Sequence, residues 1–384
     1  MTELINKDEF PHIAQLTYLN HAAVAPWPRC VATAVSEFAE QNTQVGAQHY
    51  PRWMGTEIKL RQRLARLINA PSPDDIALLK NTSEALSVLA YGIDWQAGDN
   101  IVTSDQEFPS NRIVWESLKQ LGVELREVDL NSATTPEQAL INAMNSNTRL
   151  LTISSIQYAS GLKMDLAPLG HHCRANDILF CVDAIQSLGA IPFDAQAIEA
   201  DFVMADGHKW MLGPEGLALF YCRAELREQL KLHQYGWHMI ETIGDYDTKA
   251  WQPANSARRF ECGSPNMLAI HALNAAMGLI LETGVEAIER LLLERSEHMM
   301  QIINDTPKLT LLTSAEPGRY GGIVTFHAAG VDQQALYQQL MNEAIICAQR
   351  GAGIRFSPHF YTPLAQLDLA FKKIDEILLM REKS

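Results

Sequence analysis

The chain has 384 residues, 47% of them apolar and 20% charged, with a formal net charge of −14. That length predicts two or three domains with a sizeable core, and the composition is too apolar for disorder. The negative balance excludes nucleic acid as a main partner, because a phosphate backbone demands a basic face, but it leaves room for a local site for one small anion.

The opening residues, MTELINKDEF, have neither a basic start nor an apolar stretch, so no signal peptide is expected. No segment approaches the ~20 apolar residues that span a bilayer, so no membrane partner is expected. Residues 57–68 predict a helix, with Leu60, Leu64, Leu67 and Ile68 on one face and Arg61, Arg63 and Arg66 on the other. Runs at 75–79, 100–104, 150–156, 178–182, 202–205 and 217–222 are short and mostly apolar on both faces, the pattern of a parallel sheet covered on both sides. Their alternation with helical patterns predicts an α/β domain with right-handed crossovers.

After about residue 251 the texture changes. A long helical region at 267–304 precedes an apolar run at 321–327, a helix near 332–343, short strands near 345 and 354, and a terminal helix from about 364. These predict a smaller α+β domain, with the boundary near 250–275. The six cysteines are widely spaced, with no C-x-x-C pair, and read as free thiols of a reducing cytoplasm. The histidines, His171-His172 included, lack metal-ligand spacing, so no metal site is expected.

Three segments carry chemistry. Residues 78–85, LLKNTSEA, run from a strand through Thr82-Ser83 into a helix start, where free backbone N–H groups and hydroxyls can cradle a phosphate; the same residues also suit an ordinary helix cap. Residues 178–189, ILFCVDAIQSLG, end an apolar strand in Asp183. That carboxylate is either a helix cap or the partner of a buried cation, such as the protonated ring nitrogen of pyridoxal 5′-phosphate (PLP), whose phenolic oxygen Gln186 would then reach. Residues 201–216, DFVMADGHKWMLGPEG, place Lys209 just after a buried strand. There it either snorkels to the surface or is desolvated, which lowers its pKa and makes it nucleophilic.

With YLNHAA at 18–23, NTSEA at 81–85, QEFPSN at 106–111, VDAIQSLGA at 182–190, GHKWMLGPEG at 207–216, RRFECGSPN at 258–266 and RGAGIRFSPHFY at 350–361, the chain resembles the class V aminotransferase family of fold-type-I PLP enzymes. That family includes cysteine desulfurases, selenocysteine lyases and isopenicillin-N-epimerase-like proteins. The resemblance implies a large PLP-binding domain at 21–260 with a mostly parallel seven-stranded sheet covered by helices, a small α+β domain at 261–384, and an N-terminal segment, 1–20, packing with the small domain. It implies Lys209 as the covalent PLP lysine and proton shuttle, Asp183 on the ring nitrogen, and Gln186 and Tyr158 near the phenolic oxygen. Phe108 would stack on the ring, and Thr82, Ser83 and His208 would hold the phosphate, with Ser264 supplied from the other subunit of a homodimer. Arg355 would clamp the substrate carboxylate, a bidentate task suited to a guanidinium. His21, Arg52 and Trp237 would border the substrate or simply pack.

The departures matter as much. Desulfurases stack a proton-moving histidine where Phe108 stands, and carry a nucleophilic cysteine on a loop before the carboxylate-binding arginine. Here only Gly351-Ala352-Gly353-Ile354 separates Arg350 from Arg355, and Cys347 lies upstream in a strand. The reading is a cytoplasmic PLP enzyme acting on a small α-amino acid through an external aldimine and Cα deprotonation, with transaminase or epimerase-like outcome. The alternatives are a cysteine or selenocysteine C–S lyase or desulfurase-like activity, and a PLP-binding partner protein without turnover.

Overall fold

The computed structural model describes residues 7–245, 247 and 249–382, so the first six residues of the expected N-terminal segment lie outside the described residues. Strand β1 (Thr17–Tyr18) and helices α1 (Arg29–Val45) and α2 (Tyr50–Leu67) come first. They are followed by β2 (Ile76–Leu79), α3 (Thr82–Gly92), β3 (Asn100–Ser104), α4 (Ser110–Glu116), β4 (Glu124–Val128), α5 (Pro136–Ala143), β5 (Thr148–Ser154), α6 (Leu166–Ala175), β6 (Leu179–Asp183), β7 (Phe202–Asp206) and β8 (Ala218–Cys222). Strands β2 to β8 form one sheet in the order β2-β8-β7-β6-β5-β3-β4. Only β8 is reversed, running antiparallel between β2 and β7.

Every residue of β2, β3, β7 and β8 is buried, as a sheet covered by helices on both faces requires. The six strand-like runs of the sequence all correspond to members of this sheet, within two residues at either end. The seventh member, β4, reads ELREV and is half-exposed along its length. Its charges hide it from a search for apolar runs, and they suit an edge strand, where they discourage pairing with another chain.

The helical region expected as one piece at 267–304 is two helices, α7 (Met267–Thr283) and α8 (Val285–Asp305), bent by 80° at Gly284, whose φ is +85°. A residue there in the left-handed region ends the first helix, and glycine adopts that region without a Cβ penalty. Buried Ala, Ile and Leu side chains of α7 pack along α1 and α2. Next come β9 (Leu309–Leu311), β10 (Val324–Ala328), α9 (Gln333–Asn342), β11 (Ile345–Ile346), β12 (Ala348–Arg350), β13 (Gly353–Phe356) and α10 (Leu364–Glu382). Strands β12-β13-β10-β9 make an antiparallel sheet, and β1 pairs in parallel with β11, which ties residues 17–18 to this part of the chain. No single helix among the described residues is long and apolar enough to cross a membrane.

Strands β3, β5, β6 and β7 are parallel, and β2 shares their direction, so Leu79, Ser104, Ser154, Asp183 and Asp206 all end at one edge of the sheet. Side chains just beyond the carboxyl ends of such strands converge, which is where α/β sheets bind ligands.

Candidate active site

Beyond that edge lies a cavity of about 360 Å³ whose lining includes Asp183, Lys209, Phe108, Thr82, Tyr158 and Arg355. Lys209 stands in the connection from β7 to β8 and is 9% exposed. Two links fix that connection. The Trp210 indole donates 2.8 Å to Oε1 of Gln186, and the Trp210 carbonyl crowds Gly189, where a Cβ would come within 2.4 Å of it. Burial lowers the Lys209 pKa, Asp183 pulls it back up, and the nearby Arg355 and Arg350 push it down again. The neutral amine, the form a nucleophile or base needs, is thereby easier to reach than in an exposed lysine.

Asp183 ends β6 and is 2% exposed. One of its oxygens accepts the Ile185 N–H at 3.0 Å, and burial raises its pKa despite that bond and the Lys209 charge. A buried carboxylate disfavoured in this way becomes stable as an anion once a cation is set against it. Gln186, one turn further, lines the cavity and donates one amide hydrogen to the Ala22 carbonyl at 3.1 Å, which leaves its second amide hydrogen to spare.

At another part of the wall, Asn81 caps α3 by accepting the Glu84 N–H at 2.8 Å. The cap leaves the first amides of the helix, those of Thr82 and Ser83, without intrahelical partners. The Thr82 hydroxyl oxygen accepts the Asp206 N–H at 3.1 Å, and the Ser83 hydroxyl donates to Ser110 at 2.9 Å. His208 lies alongside, its Nδ1 3.0 Å from Oδ1 of Asp206. Hydroxyls, a histidine and a helix start are the kinds of group that can hold a phosphate.

Phe108 is 40% exposed with its ring towards the cavity, 5.6 Å from Nζ of Lys209, and Tyr158 meets it edge-on at 5.1 Å. Sequence reasoning missed what holds these rings. Glu107 is 6% exposed and accepts from Ser104 Oγ, Asn111 Nδ2, Ser154 N and Oγ, and Gln157 Nε2, all within 3.1 Å. It thus binds together the segments that carry Phe108 and Tyr158. Its place in QEFPSN was a signal, but its five donors lie up to 50 positions away.

Arg355 on β13 is 1% exposed. Its Nη1 donates to the Tyr158 carbonyl at 2.6 Å and its Nη2 reaches Asn20 Oδ1 at 3.4 Å, while its Nε has no partner. No carboxylate pairs with it among the described residues, and burial together with Arg350 pushes its pKa down to about 9. Such a guanidinium is built to receive an anion.

One expectation changes, that of His21 at the substrate. His21 does not line the cavity; Ala22 and Ala23 do. His21 is fully buried behind them, with Nδ1 donating to the Ser357 carbonyl at 2.9 Å and Nε2 accepting the Tyr361 hydroxyl at 2.6 Å. Both nitrogens are used in packing, so it is not placed to bind substrate, and Arg52 and Trp237 do not line the cavity either. Ser264 is exposed in a separate surface cavity. Its loop is anchored by Glu261, which accepts from Arg61 at 2.6 and 2.8 Å. The stretch before Arg355 is tighter than a loop: Arg350 pairs with Gly353, which leaves Gly351 and Ala352 as a two-residue turn with φ +54° at Gly351. No cysteine lines the cavity among the described residues, and burial pushes the Cys347 thiol up to about 12.

The residues fit pyridoxal phosphate. A buried carboxyl at Asp183 that a cation would stabilise as its anion, an unpartnered buried Nε on Arg355, an amine at Lys209 and a helix start for phosphate surround one cavity of a size suited to a small cofactor and substrate.

Known proteins agree with this architecture. The Aminotransferase class-V family model matches residues 17–361. A probable cysteine desulfurase of Methanothermobacter thermautotrophicus is 28% identical over 398 residues, 98% of each chain. The isopenicillin N epimerase of Streptomyces clavuligerus is 29% identical over 83% of each. The structure of the cystine C–S lyase C-DES in complex with its reaction product cysteine persulfide superposes with a TM-score of 0.86 at 25% identity, covering 94% of this chain and 98% of that one.

Proposed function

We propose that this chain, which belongs to the aminotransferase class-V family, is a pyridoxal-phosphate enzyme that removes the Cα proton of an α-amino acid, with transamination or epimerisation as the outcome. The observation that carries this is Lys209, buried between Asp183 and an unpaired Arg355. Lys209 would hold the cofactor covalently, with Asp183 at the ring nitrogen, Gln186 at the phenolic oxygen and Phe108 against the ring. Thr82, Ser83, His208 and the first amides of α3 would hold the phosphate, and Ser264 of a second copy would complete it in a homodimer. Free thiols and the absence of disulfides among the described cysteines support a reducing, cytoplasmic setting.

When bound, pyridoxal phosphate supplies an electron-poor ring that accepts charge from the substrate's Cα–H bond. The protein's own groups do the rest. Arg355 binds the α-carboxylate and so orients Cα, while Phe108 and Tyr158, packed edge-on, supply an apolar wall. Nζ of Lys209, its pKa lowered by burial, takes the Cα proton and later gives it up. Turnover gives Arg355 its purpose, since a protein that only bound the cofactor would have no use for a buried cation without a partner.

A second reading, C–S lyase chemistry, is supported by the named relatives and by the match to a cystine C–S lyase. The missing cavity cysteine favours release of the sulfur product as a small molecule over transfer to the enzyme's own thiol. Mass-spectrometric product analysis of the purified protein with an amino-acid panel, with and without a keto-acid acceptor, separates the outcomes. A keto acid that keeps the substrate's side chain and forms only with an acceptor identifies transamination, an inverted amino acid resolved after chiral derivatisation identifies epimerisation, and pyruvate or alanine with released sulfur identifies C–S cleavage. Borohydride reduction should fix the cofactor to Lys209, and Lys209→Ala should abolish that adduct. Attachment at another lysine, or no product and no absorbance change with any amino acid, would overturn the reading.

A further inference from the structure

The cavity holds one more cation than an α-amino acid needs. Arg350 lines it, half-buried, at the end of β12. Its place follows from register. In the antiparallel pair β12–β13, Ala348 faces Arg355 and Arg350 faces Gly353. Residues opposite each other, and those two apart along a strand, share a face, so Arg350 and Arg355 are diagonal neighbours on the same side of the sheet. Gly353, between them, adds no side chain, and it could not: a Cβ there would meet the Phe326 carbonyl oxygen at 2.3 Å. Both guanidiniums are close enough to Lys209 to lower its pKa.

Like charges on one face repel each other, and Arg350 helps to lower the pKa of Arg355. Arg350 forms no ion pair among the described residues; its recorded hydrogen bond runs from Nη1 to the neighbouring Gln349 carbonyl at 2.9 Å. The carboxylates that line the cavity, Asp183 and Asp206, both act on Lys209, and neither pairs with Arg350 among the described residues. One α-carboxylate satisfies Arg355 and leaves the second fork open.

We propose that Arg350 binds a second anionic group, at the end of the substrate's side chain, so that the substrate class is an acidic α-amino acid carrying a side-chain carboxylate or sulfinate. This rests on the reading above, in which Arg355 takes the α-carboxylate. The tight turn of Gly351 and Ala352 sets the spacing of the two guanidiniums, and with it the length of side chain that fits.

The test uses the purified protein and two readouts. In calorimetry, succinate (two carboxylates, no amine) should bind at least tenfold more tightly than succinamate (one carboxylate, one amide). Arg350→Gln should erase that ratio, Arg350→Lys should retain much of it, and Arg355→Gln should weaken both ligands. In turnover, kcat/KM for aspartate over asparagine, and for glutamate over glutamine, should exceed ten in the parent for at least one pair and fall towards one in Arg350→Gln. Equal binding of succinate and succinamate by the parent, or a ratio unmoved in Arg350→Gln, overturns the proposal. If amino acids react but amides do as well as acids, this inference alone fails. If succinate is preferred but no amino acid reacts, the anion pair stands and the proposed reaction fails.

Discussion

Arg355 donates from Nη1 to the carbonyl oxygen of Tyr158 across 2.6 Å, a bond between a strand of the C-terminal sheet and the segment that follows β5 of the large sheet. It spans 197 positions of sequence and fixes the guanidinium of a residue only 1% exposed with its Nε unused. The bond aims the fork while leaving it donors to spare.

Removing that fork should therefore harm binding of carboxylate substrates more than anything else. Arg355→Lys keeps a charge but loses the paired donors, and KM for reactive amino acids should rise about 10- to 100-fold, as expected for loss of a charged hydrogen bond worth ~1.5–3 kcal/mol. Amines lacking a carboxylate should show little change. Steady-state kinetics with matched amino acids and decarboxylated amines checks this; equal effects on both would remove Arg355 from the substrate site.

Asp183→Asn keeps the shape of the side chain and removes the charge set towards the cofactor. Cofactor should dissociate more readily, and exchange of the Cα hydrogen with solvent deuterium should slow by about 100-fold or more, the scale of losing a preorganised charge in a dry site. Exchange followed by proton NMR measures it. An unchanged rate would leave Asp183 as a strand-end cap and nothing more.

Glu107→Ala deletes an acceptor for five buried donors, and the orphaned groups should cost about 3–5 kcal/mol of stability. Glu107→Gln, which keeps one carbonyl oxygen, should lose less. Urea unfolding midpoints report the stability, and the near-ultraviolet circular dichroism of Phe108 and Tyr158 should weaken along with it. A midpoint unmoved in the alanine variant would mean the hub is dispensable.

Acid should destabilise the fold through His359. It is fully buried, donates from Nε2 to the Trp210 carbonyl at 3.1 Å and accepts the Phe360 N–H at Nδ1, so a second ring proton would face that donor. Burial holds its pKa down to about 3 against 6.5 when unfolded. Between those values the unfolded chain binds a proton the native one refuses, so stability falls as pH drops below 6.5, by about 2 kcal/mol at pH 5 for this group. Thermal midpoints across pH 4–7 should slope downwards towards acid, with a shallower slope in His359→Asn. Identical slopes would assign the acid sensitivity elsewhere.

The groups that meet at the cavity were legible because each belongs to a local pattern: an apolar run that stops at Asp183 or before Lys209, hydroxyls before a helix at Thr82 and Ser83, an arginine after a short turn at Arg355. Burial along both faces of the strands also gave away the parallel sheet. The edge strand β4 stayed hidden because its charged residues satisfy solvent and obey no apolar rule.

What the sequence by itself determined is the identity and order of the groups that line the carboxyl edge of the sheet, because strand, turn and helix start are written in neighbouring residues. Only the tertiary structure decided that His21 packs behind the wall it was expected to form, that Glu107 gathers donors from both sides of the site, and that Arg350 shares a face with Arg355. Each of these depends on strand register or on contacts across tens to hundreds of residues, where a shift of one position in pairing turns a side chain to the opposite face.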